Sequence, residues 1–144
     1  MNLIALQIKT SPSFEDNLIY LKNLIHSCEE NSLILAPELA LSGFCYERME
    51  EASDFSIKAI EQLKQLSSNK IIALTFITKE NEKFFNTLYV FHKQKRVHTQ
   101  SKVQLFPLGN ELEYFSAGKE EDIKIIEING LKIATLICFE LRFP

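Results

Sequence analysis

Apolar positions along this chain fall into short unbroken runs, interrupted by two stretches with helical spacing. Residues 2–8 (NLIALQI) form one such run, closed by TSPS, and read as a strand. Pro12 and Ser13, with Asp16 shortly after, mark a helix start. Phe14, Leu18, Leu21, Ile25 and Cys28 then follow at spacings of four, three, four and three, which is one face of a helix packed on something apolar. Residues 32–39 (SLILAPEL) read as a second buried strand, ended by Pro37. Residues 42–55 read as a polar loop or short helical segment, and Ile57, Ile60, Leu63, Lys64 and Leu66 as the side of a second amphipathic helix.

Beyond it, KIIALTFITKE and NTLYVFHKQ predict two strands around the turn ENEK, and KRVHTQSK carries a further short strand. DIKIIEINGLKIATLIC predicts a hairpin: two apolar runs meet at Asn129-Gly130, a type I′ turn signal, and the second run continues to Cys138. The order is β-α-β-α-β-β-β followed by a hairpin. Early βαβ units with later strand pairs predict an α/β chain with a mixed sheet and helices packed on a face.

Composition narrows the function classes. The 144 residues are the length of one ordinary domain, and 46% apolar with 24% charged residues is typical of a globular chain. A net charge of −3 argues against nucleic acid or an anionic membrane as partner. The opening apolar run lacks a basic flank and a cleavage site and is too short to span a bilayer, so the expected location is the cytoplasm. Cys28, Cys45 and Cys138 are odd in number and far apart, which indicates neither a disulfide framework nor a zinc knuckle.

Several chemistries lack their signatures. The four glycines never approach GxGxxG or a phosphate-binding loop. His26, His92 and His98 are isolated, without metal-ligand spacing; His92 and His98 could face each other across a hairpin, but two half-exposed strand residues are the plainer reading. No serine lies in GxSxG, and no histidine is placed to serve Cys138 as base. No metal or organic cofactor is expected.

Three reactive side chains do stand where apolar segments end: Glu38 after LILAP, Lys102 after RVHTQS, and Cys138 after LKIATLI. Strand ends are where sites assemble in open α/β folds. Taken singly, each residue has an ordinary explanation, namely a solvated carboxylate, a solvated lysine and a small core cysteine.

Together their surroundings resemble the three motifs of the nitrilase superfamily, the carbon–nitrogen hydrolases. LILAPELALSGF is similar to its glutamate motif, SKVQLFPLGNELEYFSAG to its lysine motif, and LICFELRFP to its cysteine motif. All three occur in the family's order, and NTLYVF also fits its sheet. A local departure is Glu140, where many relatives carry Asp. The resemblance implies a catalytic triad of Glu38, Lys102 and Cys138, with a second glutamate at Glu111 or, in a shifted register, Glu113. It implies supporting or substrate-binding roles for Phe139, whose N–H would meet an oxyanion, and for Arg142, as a carboxylate ligand or an ion-pair partner.

The implied fold is an α-β-β-α sandwich, of which residues 1–144 correspond to the N-terminal portion of a single hydrolase domain. The implied reaction is hydrolysis of a non-peptide carbon–nitrogen bond in a small amide, omega-amidase-like, through a cysteine acyl-enzyme; the partners are then a small-molecule amide substrate and, by analogy with the family, a second copy in a homodimer. The length expectation is a truncated enzyme whose 144 residues alone have little or no activity. The alternatives are an inactive half-domain and a thiol-based binding or sensor domain.

Overall fold

The computed structural model describes residues 1–143; Pro144, the last residue of the cysteine motif, lies outside them. The elements are β1 (Asn2–Ala5), α1 (Phe14–Ser27), β2 (Ser32–Leu35), α2 (Met49–Gln65), β3 (Ile71–Glu80), β4 (Lys83–His92), β5 (Lys95–Ser101), α3 (Glu111–Tyr114), β6 (Ile125–Ile128) and β7 (Leu131–Ala134). Short 3-10 turns include Pro107–Gly109 and Cys138–Arg142.

β1 to β5 form one sheet in sequence order. β1, β2 and β3 are parallel, and β3, β4 and β5 antiparallel. Right-handed crossovers between strands that lie in sequence order place both α1 and α2 on the same face. There Leu18, Leu21 and Ile25 of α1 and Ala59 and Leu63 of α2 pack on Ile34, Ile72, Leu74, Phe76, Tyr89 and Phe91. The intervening strand residues Ile71, Ala73, Leu88 and Val90 point to the opposite face, as the two-residue period demands. The hairpin β6–β7 covers that face through Ile126, Ile128 and Ile133.

Helix α1 starts as the sequence predicts, with the Ser13 hydroxyl accepting from the Asp16 N–H. Helix α2 differs. It begins at Met49, inside the segment read as a polar loop or short helical segment, and its buried stripe is Met49, Ala52, Ser53, Ser56, Ala59 and Leu63. Ile57 is 69% exposed and belongs to the outer side. Small Ala and Ser residues let the helix approach the sheet closely, and Phe55, Ile60 and Leu66 pack against the core at the edges of the buried stripe.

The hairpin turn has Asn129 at φ 51° and Gly130 at φ 78°, the geometry of a type I′ turn. The second strand stops at Ala134, however, four residues short of Cys138. Ladder pairing ends there, and Thr135 and Ile137 turn their backbone and side chains to other partners. His92 and His98 do not face each other either: His98 pairs with Val90, and His92 with Lys95. Both are buried rather than half-exposed, His92 against the Lys70 carbonyl and His98 against Thr135. Among the described residues no helix is long and apolar enough to cross a membrane.

Candidate active site

Glu38 owes its position to an abrupt end of β2. The Ala36 N–H makes a last bond to Ala73 O, and Pro37 can donate none. Leu39 then adopts φ +50°, a strained value for a branched side chain. It is held there by complete burial of its side chain and by a bond from its N–H to Thr75 Oγ1 at 2.6 Å. The turn aims the Glu38 carboxylate back across the ends of β3 and β4.

Lys102 follows β5 directly and its side chain is fully buried. Its N–H bonds Asn86 O and its C=O receives the Gly118 N–H, both at 2.8 Å. Its ammonium donates to Glu38 Oε1 at 2.7 Å and to Glu111 Oε1 at 2.8 Å. Burial opposes the charge, but the bonds to Glu111 and Glu38 outweigh it, so Lys102 is held protonated above the usual lysine range. Glu111 is itself buried and its second oxygen accepts the Phe106 N–H. Glu113, the alternative register, is exposed on the far side of α3.

Cys138 opens the 3-10 turn after the hairpin, at φ +50°. Burial and the adjoining Glu38 carboxylate push its thiol above the usual cysteine range, while the Lys102 charge pulls the other way. Glu38 and Cys138 line one cleft of about 440 Å³, together with Leu33, Leu35, Ala73, Thr75, Leu88 and Ile133. On its other side Cys138 borders a second hollow with Phe106, Phe139, Leu141 and Arg142. Phe139 is wedged edge-on between Phe106 and Phe143, with ring centroids 5.1 and 5.2 Å away. The first backbone bond of this turn comes from the Glu140 N–H to Ile137 O, so the Phe139 N–H ahead of it makes no bond within the turn. Arg142 is exposed and lies 6.0 Å from the Phe139 ring centroid, with no carboxylate partner among the described residues.

The structure therefore brings Glu38, Lys102, Glu111 and Cys138 together, with Phe139 and Arg142 beside them. Sequence reading missed three residues of this neighbourhood. Asn86 is completely buried and donates to Glu38 Oε1 at 2.7 Å, leaving its own Oδ1 without a partner among the described residues. Gln100 and Glu140 are buried below Cys138 and joined to each other. The only advance signal was a polar residue inside an apolar strand for Asn86 and Gln100, and the second carboxylate of the cysteine motif for Glu140. Among the described residues no cluster of His, Cys, Asp and Glu is arranged to hold a metal ion.

Gly118 offers a test of how the lysine is fixed. A Cβ there would lie 2.2 Å from the Ser101 carbonyl oxygen, a backbone atom that cannot swing away. Gly118→Ala is expected to destabilise the fold by about 1–3 kcal/mol in urea unfolding, as overpacking does.

This five-stranded mixed sheet with two helices on one face is shared with solved carbon–nitrogen hydrolases. The family's sequence profile matches residues 3–144, and the chain belongs to that family. A hydrolase in the agr operon of Staphylococcus lugdunensis is 30% identical over 121 residues, covering 81% of this chain and 52% of the relative. The 2-oxoglutaramate amidase of Bacillus subtilis is 28% identical over 117 residues, covering 78% of this chain and 44% of the relative. The chain spans about half the length of the curated relatives it matches.

Solved structures share the fold. An amidase variant from Nesterenkonia, with the acetamide moiety of fluoroacetamide bound covalently to its active-site cysteine, superposes with a TM-score of 0.85 at 17% identity, over 97% of this chain and 56% of that one. A CN-hydrolase superfamily protein from Xanthomonas campestris, with an arsenic adduct in its active site, gives 0.77 at 24% identity, over 92% and 51%. The α/β layering read from the sequence, with its mixed sheet and helices on one face, is the layering found.

Proposed function

We propose that residues 1–144 are the N-terminal portion of a carbon–nitrogen hydrolase domain that cleaves small amides through an acyl-enzyme on Cys138. The observation that carries this reading is the position of Cys138 beside a carboxylate whose Oε1 is already engaged by Lys102 and Asn86. Glu38 Oε2 is then the oxygen available for proton transfer.

The chemistry follows from that arrangement. Amide carbons resist water because nitrogen is a poor leaving group, and a sulfur nucleophile divides the reaction into two easier steps. A thiol held above its usual range stays protonated at rest, so attack requires removal of the proton as the C–S bond forms. Glu38 takes that proton and delivers it to the departing nitrogen. The acylated cysteine is next attacked by water, with Glu38 again as base, releasing the acid and restoring the thiol. The Phe139 N–H, without a bond partner among the described residues, is the donor available to the developing oxyanion. Lys102 is enclosed, so it acts through space, lending its charge and holding Glu38 and Glu111 in place.

The matched 2-oxoglutaramate amidase supports small amides that also carry a carboxylate. Arg142, cationic and without a carboxylate partner among the described residues at the mouth of the Phe106–Phe139 hollow, is the group suited to receive it. The test is incubation with omega-amides of short dicarboxylic acids, followed by ammonia assay and peptide mass spectrometry. One acyl mass on Cys138 is expected, and acylation of Cys28 or Cys45 instead would move the site. Arg142→Ala should raise the concentration for half-maximal acylation about tenfold for carboxylate-bearing amides and leave neutral amides unaffected.

A second reading is binding without turnover. It is favoured by the exposed Leu3, Leu35 and Leu136 around the cleft, which leave the site open to water. Saturable binding of the amide with neither an acyl mass on Cys138 nor released ammonia would select it.

A further inference from the structure

The cysteine motif carries a second acid whose role the triad does not explain. Glu140 is 2% exposed and makes no ion pair among the described residues. Its carboxylate instead accepts three N–H groups. Oε1 takes the Val103 N–H at 2.6 Å, and Oε2 takes the Ile137 N–H at 2.7 Å and Gln100 Nε2 at 3.2 Å. Val103 directly follows Lys102, and Ile137 directly precedes Cys138. One side chain thus ties together the backbone next to the ammonium and the backbone next to the thiol.

We propose that Glu140 is a positioning residue that holds Cys138 against Glu38 by bridging the lysine and cysteine segments. The proposal rests on the reading of Cys138 as nucleophile.

Three features support it. A carboxylate is needed here because both oxygens must accept; an amide would turn an NH2 group toward a backbone N–H. Cys138 sits at φ +50°, a conformation that costs a non-glycine residue energy and persists only when its surroundings enforce it. The carboxylate is, moreover, anchored from below. Gln100 Oε1 accepts from Thr135 Oγ1 at 2.6 Å, and Thr135 Oγ1 lies 3.2 Å from His98 Nε2. With the Thr135 hydroxyl spent on Gln100, His98 donates. Every donor in the chain meets an acceptor, and flipping the Gln100 amide would break it at both ends. The groups that face Cys138 are Glu38, Lys102 and Glu111; those that face Glu140 are Gln100 and, through it, Thr135 and His98.

The test reads the thiol and needs no turnover, so its failure is separate from failure of the acyl-enzyme reading. Iodoacetamide modification of the 144-residue chain is followed by peptide mass spectrometry across pH, with Cys28 on the same molecule as reference. In Glu140→Gln the bridge opens and Cys138 moves away from Glu38. Its modification midpoint should fall toward the ordinary thiol range near about 8.5, with a several-fold faster rate at pH 7.5. The Cys28 profile should stay where it was. Gln100→Leu, which removes one of the three donors, should shift Cys138 the same way by less, and decides the matter alone if Glu140→Gln does not fold. A purely structural Glu140 would lower the melting temperature and leave the Cys138 profile in place. An unchanged or higher Cys138 midpoint in the folded variants overturns the proposal.

Discussion

Cys138→Ala removes stoichiometric acylation of the chain by an activated acyl donor such as 4-nitrophenyl acetate, while Cys28→Ala and Cys45→Ala retain it. The expected signal is a burst of nitrophenolate matching the protein concentration, with the acyl mass on the Cys138 peptide. Cys28 is the cap at the end of α1, its thiol directed to Leu24 O, and Cys45 precedes the turn into α2 beside the exposed Arg48–Glu51 pair; neither lines the cleft that Glu38 shares with Cys138. Glu38→Gln should slow the burst by about 10²–10⁴-fold, the usual reach of a general base, without changing its final size. A full-speed burst in Glu38→Gln would mean that the sulfur loses its proton by another route.

Lys102→Met should cost more stability than any other single change at the site, about 3–5 kcal/mol in urea unfolding. The side chains are close in volume, so packing is not the cause. Lys102 is the shared partner of Glu38 and Glu111, and without it two carboxylates face each other, one fully enclosed. Removing one member of a buried ion cluster leaves uncompensated charge in a poorly solvating interior. Adding Glu111→Gln should therefore recover part of the loss, a sign of coupling that a double-mutant cycle detects. Equal or greater loss in the double variant would show that an uncompensated Glu111 charge is not the source of the loss.

The parts of this molecule that were legible in advance are local. Ser13 capping α1, Asn129-Gly130 closing the hairpin and the order of strands and helices follow from neighbouring residues. Glu38, Lys102, Glu111 and Cys138 were legible through the three motifs around them. Asn86 and Gln100 were not, because their meaning depends on register: Asn86 sits opposite Ile77 on β3, and Gln100 opposite Leu88 on β4, which directs them at carboxylates 48 and 40 positions away. The buried face of α2 was legible only in part. Leu63, with Ile60 and Leu66 beside it, does pack on the core, but Ile57 faces outward and the Ala and Ser positions, which suit a close approach by their size, carry no apolar signal. The run through Thr135 to Cys138 is apolar enough to imitate a strand, yet the Ile137 N–H is committed to Glu140 rather than to a ladder.

The shared lysine has an electrical consequence. Two anions around one cation leave the inner flank of Cys138 with a surplus negative charge, whereas the outer flank carries the guanidinium of Arg142. The sulfur thus stands on a gradient of potential. On the reaction proposed above, a molecule bearing an acid at one end and an amide at the other would settle across it in a single sense, acid outward and amide inward.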